Sequence, residues 1–377
     1  MNNNSLGIYL HIPFCIRKCN YCDFCSFPDA SGARMSEYAD ELIRRITAFS
    51  ARYKKRPADT VYFGGGTPTL MPAEYFEGIL TALKNNFDIS KDAEITVECN
   101  PASIEKEGLC SLRALGINRI SIGLQSANDE ELRLLGRVHS FEDFKRTFAL
   151  AREAGFDNIS VDLMHGIPNQ TKESFLKTLA KIIEISPEHI SAYGLKIEEG
   201  TAFFRNRSRL LLPDEDTEAE LYDICCEKLS EGGYQQYEIS NFAKKGKESR
   251  HNLKYWHLDD YIGFGVAAHS CFLGERFGNS RDIEAFLRGE DICCEREKIS
   301  DKAFLDEYVM LSLRLAQGID TSEFFKLTNK EFKKAFPMVN TYIKGGFMTE
   351  SDKRIAFTTK GFLVSNVILS EMLSFEN

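Results

Sequence analysis

Three cysteines lie close together near the amino terminus, in the segment CIRKCNYC from Cys15 to Cys22 with Cys19 between them. Three thiolates at this C-x3-C-x2-C spacing can hold three irons of a 4Fe-4S cluster and leave the fourth iron without a protein ligand. An open coordination position is what a catalytic metal centre requires. The alternative is a zinc site with Cys25 as a fourth ligand, although structural zinc sites usually separate two ligand pairs by a longer loop.

A second group of candidate residues follows apolar runs that predict strands. Gly64 to Gly66 follow the run VYF and precede Thr67, so the backbone there must turn sharply or pass close to another group. The run matches neither the P-loop nor the G-x-G-x-x-G dinucleotide pattern. Glu98, Gln125 and Asp162 also end or follow predicted strands, where each could instead be an ordinary polar residue at the start of a loop.

Apolar runs and amphipathic helical patterns alternate six times before residue 200. The strands are predicted at 7–12, 60–63, 93–98, 119–124, 158–162 and 189–195, and the helices at 36–52, 72–86, 104–115, 129–135, 141–154 and 172–185. Start and stop signals support several helices, including Ser36 before the first one and Gly155 after the fifth. Because all six units place polar or glycine-rich residues after a strand, where barrel ligands bind, we predict an α/β fold with a partial (β/α)6 TIM-type barrel.

The rest of the chain divides into two further predicted units. The barrel is expected at 1–210, an extension at 211–295 with the motifs RHNLKYW and GFGVAAHS, and a small α+β domain at 296–377 whose order of elements resembles a winged helix. Residues 295–377 contain 12 basic and 12 acidic residues, a net charge of 0. DNA binding by this domain therefore has little electrostatic support.

Composition excludes several classes of protein. The 377 residues carry 47 Lys and Arg against 56 Asp and Glu, a net charge of −9, which argues against nucleic acid as the main partner. Neither a signal peptide nor an apolar run long enough for a membrane span is expected, so we predict a cytoplasmic protein. In a reducing cytosol, clustered cysteines among the 11 indicate a metal or catalytic site, and we expect the seven outside the loop to be buried.

The cysteine loop resembles that of the radical S-adenosylmethionine (SAM) superfamily, and the chain is most similar to its HemN/HemW group. The resembling stretches run from Tyr9 to Ser270 and include YFGGGTPTL, VECNP, ISVDLMHGIPNQT and QYEISNFA. The resemblance implies that Cys15, Cys19 and Cys22 bind a 4Fe-4S cluster whose open iron binds SAM, which is cleaved to a deoxyadenosyl radical. It also implies SAM contacts by Tyr9, Tyr21, Gly65, Gly66, Thr67, Glu98, Gln125, Arg137 and Asp162.

Two features bear on the branch of this group. The coproporphyrinogen dehydrogenase branch has a fourth cysteine two positions after the third, where this chain has Phe24. The chaperone branch has an H-N-x-x-Y-W motif associated with haem binding, which matches His251 to Trp256. The resemblance therefore implies a haem chaperone that delivers haem to an unidentified acceptor protein. If the acceptor is a respiratory protein, we expect association at a membrane surface. A coproporphyrinogen III oxidase and a zinc-stabilised binding module are the alternatives.

The motif suggests how haem would be held. Imidazole is a good axial ligand of haem iron, so His251 is the predicted ligand. Tyr255 and Trp256 could pack on the porphyrin face, and Arg250 could pair with a propionate. The competing interpretation is a structural loop, in which His251 hydrogen-bonds to the backbone and Trp256 fills a gap in the core. His269 and Cys271 are secondary candidates.

Overall fold

The computed structural model describes residues 5–28, 32–53 and 55–374. Six strands alternate with helices in the first half, as predicted. The strands are β1 (Leu6–Ile12), β2 (Pro57–Gly65), β3 (Asp88–Cys99), β4 (Arg119–Gln125), β5 (Ile159–His165) and β6 (His189–Gly194). The helices are α1 (Met35–Arg52), α2 (Ala73–Asn86), α3 (Lys106–Ala114), α4 (Asp129–Leu135), α5 (Phe141–Glu153), α6 (Lys172–Ile185) and the short α7 (Ala202–Arg205).

Strands β1 to β6 pair in parallel in chain order. Further elements extend this sheet: α8 (Glu215–Glu231), β7 (Gln235–Glu238), β8 (Asn241–Ala243), α9 (Arg250–Trp256), β9 (Tyr261–Phe264), β10 (His269–Phe272), β11 (Glu275–Asn279), α10 (Ile283–Leu287) and β12 (Cys293–Lys298). Strands β9 to β12 continue the sheet beyond β1, while β8 and β7 continue it beyond β6. Among the described residues the edge strands β12 and β7 do not pair with each other, so the barrel is open, as predicted.

Alternation along the strands separates the core from the barrel interior. Leu6, Ile8, Leu10 and Ile12 of β1 are fully buried in the core. In a strand, successive side chains point to opposite faces, so the residues between them point into the barrel. The interior positions of the neighbouring strands are largely polar, and they present Tyr62, Glu98, Ser121, Asp162 and Ser191 to a common cavity. The hydrophobic effect thus stabilises the wall and leaves the interior available for chemistry.

The C-terminal module has its own apolar core. It contains α11 (Asp301–Arg314), β13 (Ile319–Asp320), α12 (Thr321–Thr328), α13 (Phe332–Ala335), α14 (Val339–Lys344), β14 (Met348–Ser351), β15 (Arg354–Phe357), α15 (Thr359–Leu363) and α16 (Ser365–Ser374). Its three short strands form an antiparallel sheet in the order β13-β15-β14. The core includes Tyr222 of α8, and the module also contacts α9. It therefore packs against the elements that extend the barrel.

Three predictions need correction. Helix α1 begins at Met35, so Ser36 lies inside the helix, and the residue that precedes it, Arg34, forms no side-chain cap. Cys110 and Cys294 are exposed, because their side chains lie on the outer faces of α3 and β12 rather than in the core. The motif RHNLKYW is not a loop but the whole of helix α9. No helix among the described residues has the length and apolar character that a membrane crossing needs.

Candidate functional site at the barrel mouth

A cavity of about 460 Å³ opens at the carboxyl ends of the parallel strands. It brings together ten of the twelve residues predicted to hold a cluster or SAM. These are Cys15, Cys19, Cys22, Tyr21, Gly65, Gly66, Glu98, Gln125, Arg137 and Asp162. Tyr9 and Thr67 do not line this cavity: Thr67 lies behind Cys15, and Tyr9 hydrogen-bonds to His11 and borders a second cavity.

The cysteine loop is closed by backbone pairing at its base. The two-residue strand Phe14–Cys15 pairs with Phe27–Pro28, and the amide of Phe27 donates to the carbonyl of Pro13 at 2.6 Å. Thr67 supports Cys15, with 3.7 Å between its Oγ1 and the cysteine Sγ. The three thiols thus face one cavity from a short loop of fixed path, which suits a cluster in which each sulfur holds a different iron.

Cys25 is separated from the other three cysteines. It lines the second cavity, with its Sγ 4.0 Å from the carbonyl oxygen of Arg281, and not the first. Among the described residues, no three His, Cys, Asp or Glu side chains are arranged to hold a single metal ion. The position of Cys25 therefore gives no support to a four-cysteine zinc site.

Two of the three thiols, those of Cys15 and Cys22, are protonated more readily than free cysteine. Burial raises the pKa of Cys15, which a hydrogen bond from Thr67 partly offsets, and burial also raises the pKa of Cys22. Metal binding to these sulfurs would therefore release protons. Arg137 can stabilise a negative charge on the sulfur of Cys19, because its Nη1 is 3.6 Å from that Sγ.

The glycine run is needed for close packing against the cysteine loop. Gly65 has φ of +116°, and a Cβ at this position would lie 2.5 Å from the ring of His11. A Cβ at Gly66 would lie 2.6 Å from the carbonyl oxygen of Phe14, next to Cys15. The predicted close approach is thus confirmed: Gly65 approaches His11 of β1, and Gly66 approaches the backbone at the start of the cysteine loop.

Glu98 is fixed at the centre of the cavity wall. Its Oε1 accepts a hydrogen bond from the hydroxyl of Tyr62 and its Oε2 accepts one from the amide of Gly65, both at 2.9 Å. Burial raises the pKa of Glu98 to about 7, and the nearby Asp162 adds to the rise. With a pKa of about 7, this carboxyl group changes charge near neutral pH.

Asp162, Gln125 and Arg137 complete the polar wall. Asp162 accepts a hydrogen bond from Ser121 at 3.1 Å, and burial raises its pKa. Gln125 ends β4 with φ of +74°, a left-handed conformation that costs energy outside glycine and clusters at functional sites. Arg137 donates to Asn100 at 2.7 Å and is half-buried rather than part of a surface ion pair.

Sequence reasoning missed several cavity residues, the most unusual being Arg119. Its side chain is 2% exposed and lines the cavity, and its Nε donates no hydrogen bond within the described part of the chain. Asn100, Tyr193 and Asn252 also line the cavity. The period of two along β4 could have identified Arg119, because positions 119, 121, 123 and 125 all face the interior.

His251 lies below this cavity, and both of its ring nitrogens are hydrogen-bonded. Its Nδ1 is hydrogen-bonded to Thr60 and its Nε2 to Tyr255, both at 2.8 Å, and its ring stacks on Tyr62. The side chain is 1% exposed, and burial lowers its pKa to about 3, helped by the charge of Lys254. The ring is therefore neutral at pH 7, but neither nitrogen can bind iron until a hydrogen bond breaks.

The other predicted haem residues are dispersed around α9. Tyr255 borders the second cavity, where its ring meets Tyr261 edge to face. Trp256 is half-buried at the end of the helix and lines neither cavity. Arg250 donates to the carbonyl of Asp92 at 2.7 Å and lies 3.5 Å from Asp59, so it is already occupied at the base of the barrel.

Known protein families and a solved structure share this architecture. Residues 9–182 match the model of the radical SAM superfamily, and residues 299–364 match that of the HemN C-terminal domain. The solved structure of coproporphyrinogen III oxidase (HemN) from Escherichia coli, described as a radical SAM enzyme, has a TM-score of 0.86 and 25% identity, covering 99% of this chain and 91% of that one.

Curated relatives match over their full length. The protein named "Heme chaperone HemW" from Haemophilus influenzae is 36% identical over 382 residues, covering 98% of both chains. Proteins of the same name from Escherichia coli and Bacillus subtilis are each 34% identical, and the alignments cover 97% or more of each chain. The chain therefore belongs to the HemW family within the radical SAM superfamily.

Proposed function

We propose that this protein is a haem chaperone, which binds haem and transfers it to an acceptor protein. The full-length similarity to relatives named "Heme chaperone HemW" carries this proposal. Phe24 supports the proposal, because the oxidase branch has a fourth cysteine at this position, in the pattern C-x3-C-x2-C-x-C. The acceptor is a haem-requiring protein, with a respiratory haemoprotein as the first candidate.

In this proposal the barrel cavity holds a 4Fe-4S cluster on Cys15, Cys19 and Cys22, together with SAM. A reduced cluster of this kind supplies an electron that can cleave SAM. The chain's own residues would position the cofactor: Glu98 and Asp162 offer acceptors to its ammonium and hydroxyl groups, and Arg137 offers a donor to its carboxylate. Tyr9 and Thr67, which lie outside the cavity wall, would act by holding His11 and Cys15 in place.

Binding of SAM is expected to strengthen as pH rises from 6 to 7.5. The pKa of Glu98 is raised to about 7, so the group is mostly protonated at pH 6 and gains the charge that attracts an ammonium as pH rises. At pH values below the pKa of Glu98, the affinity for SAM should rise by about tenfold per pH unit, and it should level off once the group is fully ionised. Isothermal titration calorimetry of the reconstituted protein with SAM at pH 6.0, 6.5, 7.0 and 7.5 measures how the affinity changes with pH.

The matched control for this titration is Glu98→Gln, which keeps the shape of the side chain and removes the charge. This variant should bind SAM weakly and with a flat pH profile. An equally steep profile in Glu98→Gln would assign the titration to another group and contradict the role given to Glu98.

A coproporphyrinogen III oxidase is the second candidate, because the HemN structure matches nearly the whole chain. One experiment separates the two functions. Protein reconstituted without oxygen is incubated with SAM, reductant and coproporphyrinogen III, and the porphyrins are separated by chromatography. We expect no protoporphyrinogen above the level of a cluster-free sample, whereas protein loaded with haemin should restore the absorbance of a haem-depleted b-type cytochrome. Robust protoporphyrinogen formation would reverse the assignment.

A further inference from the structure

Arg119 stands at the floor of the barrel cavity, beneath its two carboxylates. It begins β4, where it pairs with Thr96 of β3, and the next interior pair towards the mouth is Ser121 with Glu98. The hydroxyl of Ser121 in turn donates to Asp162. Because two residues of a strand span about 7 Å, the long side chain of Arg119 can extend from this floor into the cavity that Glu98 and Asp162 line.

The guanidinium of Arg119 is buried without a direct partner. The side chain is 2% exposed, its Nε donates no hydrogen bond, and no ion pair joins it to another side chain in residues 5–28, 32–53 and 55–374. Burying a charge costs free energy unless an opposite charge compensates it. Arg119 differs in this from the partly buried Arg152, whose Nη1 lies 2.7 Å from Glu188. Compensation for Arg119 must therefore come from charges farther away in the cavity.

The surroundings of Glu98 and Asp162 contain two cations close to the barrel floor. The charged and titratable groups around the two carboxylates are Tyr9, Tyr62, Tyr193, Tyr255, Arg119 and Arg137. The other charged residues that line the cavity lie nearer to solvent: Arg17, Lys18, Asp23 and Glu198. Burial raises the pKa of all four tyrosines, so they are neutral at pH 7. Arg137 is hydrogen-bonded to Asn100, which leaves Arg119 as the uncommitted cation.

The charge of Arg119 opposes the effect of burial on both carboxylates. Burial raises the pKa of Glu98 to about 7, and the charge of Asp162 adds to the rise, whereas Arg119 lowers it. Burial likewise raises the pKa of Asp162, and the charges of Arg119 and Arg137 lower it. Two carboxylates in one buried site disfavour each other's ionisation, and a nearby cation favours it.

We propose that Arg119 is a positioning residue of the SAM site, whose charge beneath Glu98 and Asp162 allows both carboxylates to be negative when SAM binds. Arg119 acts through the two carboxylates and not on the cofactor, which itself carries a net positive charge. The inference rests on the proposed function, because it concerns the residues that hold SAM in that proposal.

The test is a calorimetric titration of the full-length, reconstituted protein with SAM at several pH values between 6.0 and 8.5. In Arg119→Gln, the midpoint of the pH dependence should move up by about one pH unit, because a charge at this distance changes a carboxyl pKa by about that much. At pH 8.5 this variant should bind SAM as tightly as wild type or more tightly, since a cation that repels the cofactor is gone. Arg119→Lys keeps the charge and should restore the wild-type midpoint.

Arg152→Gln is the matched control, because it removes a partly buried arginine that lines neither cavity, and its midpoint should equal that of wild type. A purely structural role for Arg119 predicts weaker binding of SAM at every pH with an unmoved midpoint in Arg119→Gln. That result would overturn the inference and leave SAM binding intact, whereas a wild-type protein that binds no SAM would overturn the proposed SAM site itself.

A second variant covers the case in which Arg119→Gln does not fold. The double variant Arg119→Gln with Asp162→Asn removes one charge of each sign, and its urea unfolding is compared with that of Arg119→Gln. Recovery of folded protein in the double variant supports compensation between these charges. A double variant that is no more stable than Arg119→Gln contradicts it.

Discussion

Replacing any one of Cys15, Cys19 or Cys22 by alanine is expected to remove the iron–sulfur cluster, while Cys25→Ala keeps it. The first three thiols face the barrel cavity, and Cys25 faces the second one. Wild-type protein reconstituted without oxygen should contain about four irons and four sulfides per chain. Each single variant should contain at least about tenfold less, because even changes outside the ligand set lower metal affinity by 10- to 100-fold.

Iron, sulfide and zinc counts on the four variants measure this directly. Cys110→Ala is a further control for the loss of one thiol, since Cys110 is exposed on α3. A protein that binds stoichiometric zinc without sulfide, and that loses it in Cys25→Ala as in the other three, would replace the cluster by a zinc site. That outcome would also remove the basis for SAM binding in the cavity.

Lys254→Met is expected to lower the free energy of unfolding by about 3–5 kcal/mol, the range for breaking a buried ion pair by removing one partner. Lys254 is 3% exposed, and its Nζ lies 2.8 Å from both Asp59 and the carbonyl oxygen of Ser5. The pair joins α9 to the amino ends of β1 and β2. Its loss would leave the largely buried carboxylate of Asp59, whose side chain is 15% exposed, facing the more distant Arg250 at 3.5 Å.

The difference in unfolding free energy between wild type and Lys254→Met should depend on pH. Burial of Asp59 raises its pKa, but the hydrogen bond and charge of Lys254, with the charge of Arg250, outweigh burial and bring it below 3.8. The stabilisation from a depressed carboxyl pKa is complete above the unfolded value and is lost as pH falls through the folded value. The difference between wild type and Lys254→Met should therefore be largest at neutral pH and shrink below about pH 4.

Urea unfolding at pH 7 and at pH 3.5 measures both effects. Lys172→Met is the matched control: it breaks an exposed pair with Glu220, which should contribute about 0–1 kcal/mol. The double variant Asp59→Asn with Lys254→Met should recover part of the loss, because the buried charge is gone. Equal losses from Lys254→Met and Lys172→Met would show that the α9 pair does not stabilise the barrel.

The sequence by itself determined the order of the barrel and most of its mouth. Periodicity located all six strands and all six helices, and helices 129–135 and 172–185 agree with the structure at both ends. The prediction succeeded because each parallel strand is apolar on the face that meets a helix and carries, within it or just after it, a residue that reaches the cavity. The spacing of Cys15, Cys19 and Cys22 within one loop required no long-range contact to be recognised.

What depends on contacts distant in sequence was decided only by the tertiary structure. The thiols of Cys15 and Cys25 are ten positions apart, yet they face different cavities, because Asp23 and Phe24 form the wall between them. Arg119 was missed because an arginine alone does not show which face of a strand it occupies; only its register with Gln125 along β4 assigns it to the barrel interior.

The histidines show the same limit most clearly. The motif around His251 is local, but Thr60 lies 191 positions away and its hydroxyl occupies one ring nitrogen. Whether an imidazole can bind a metal depends on what its nitrogens already contact, and a motif does not contain that information.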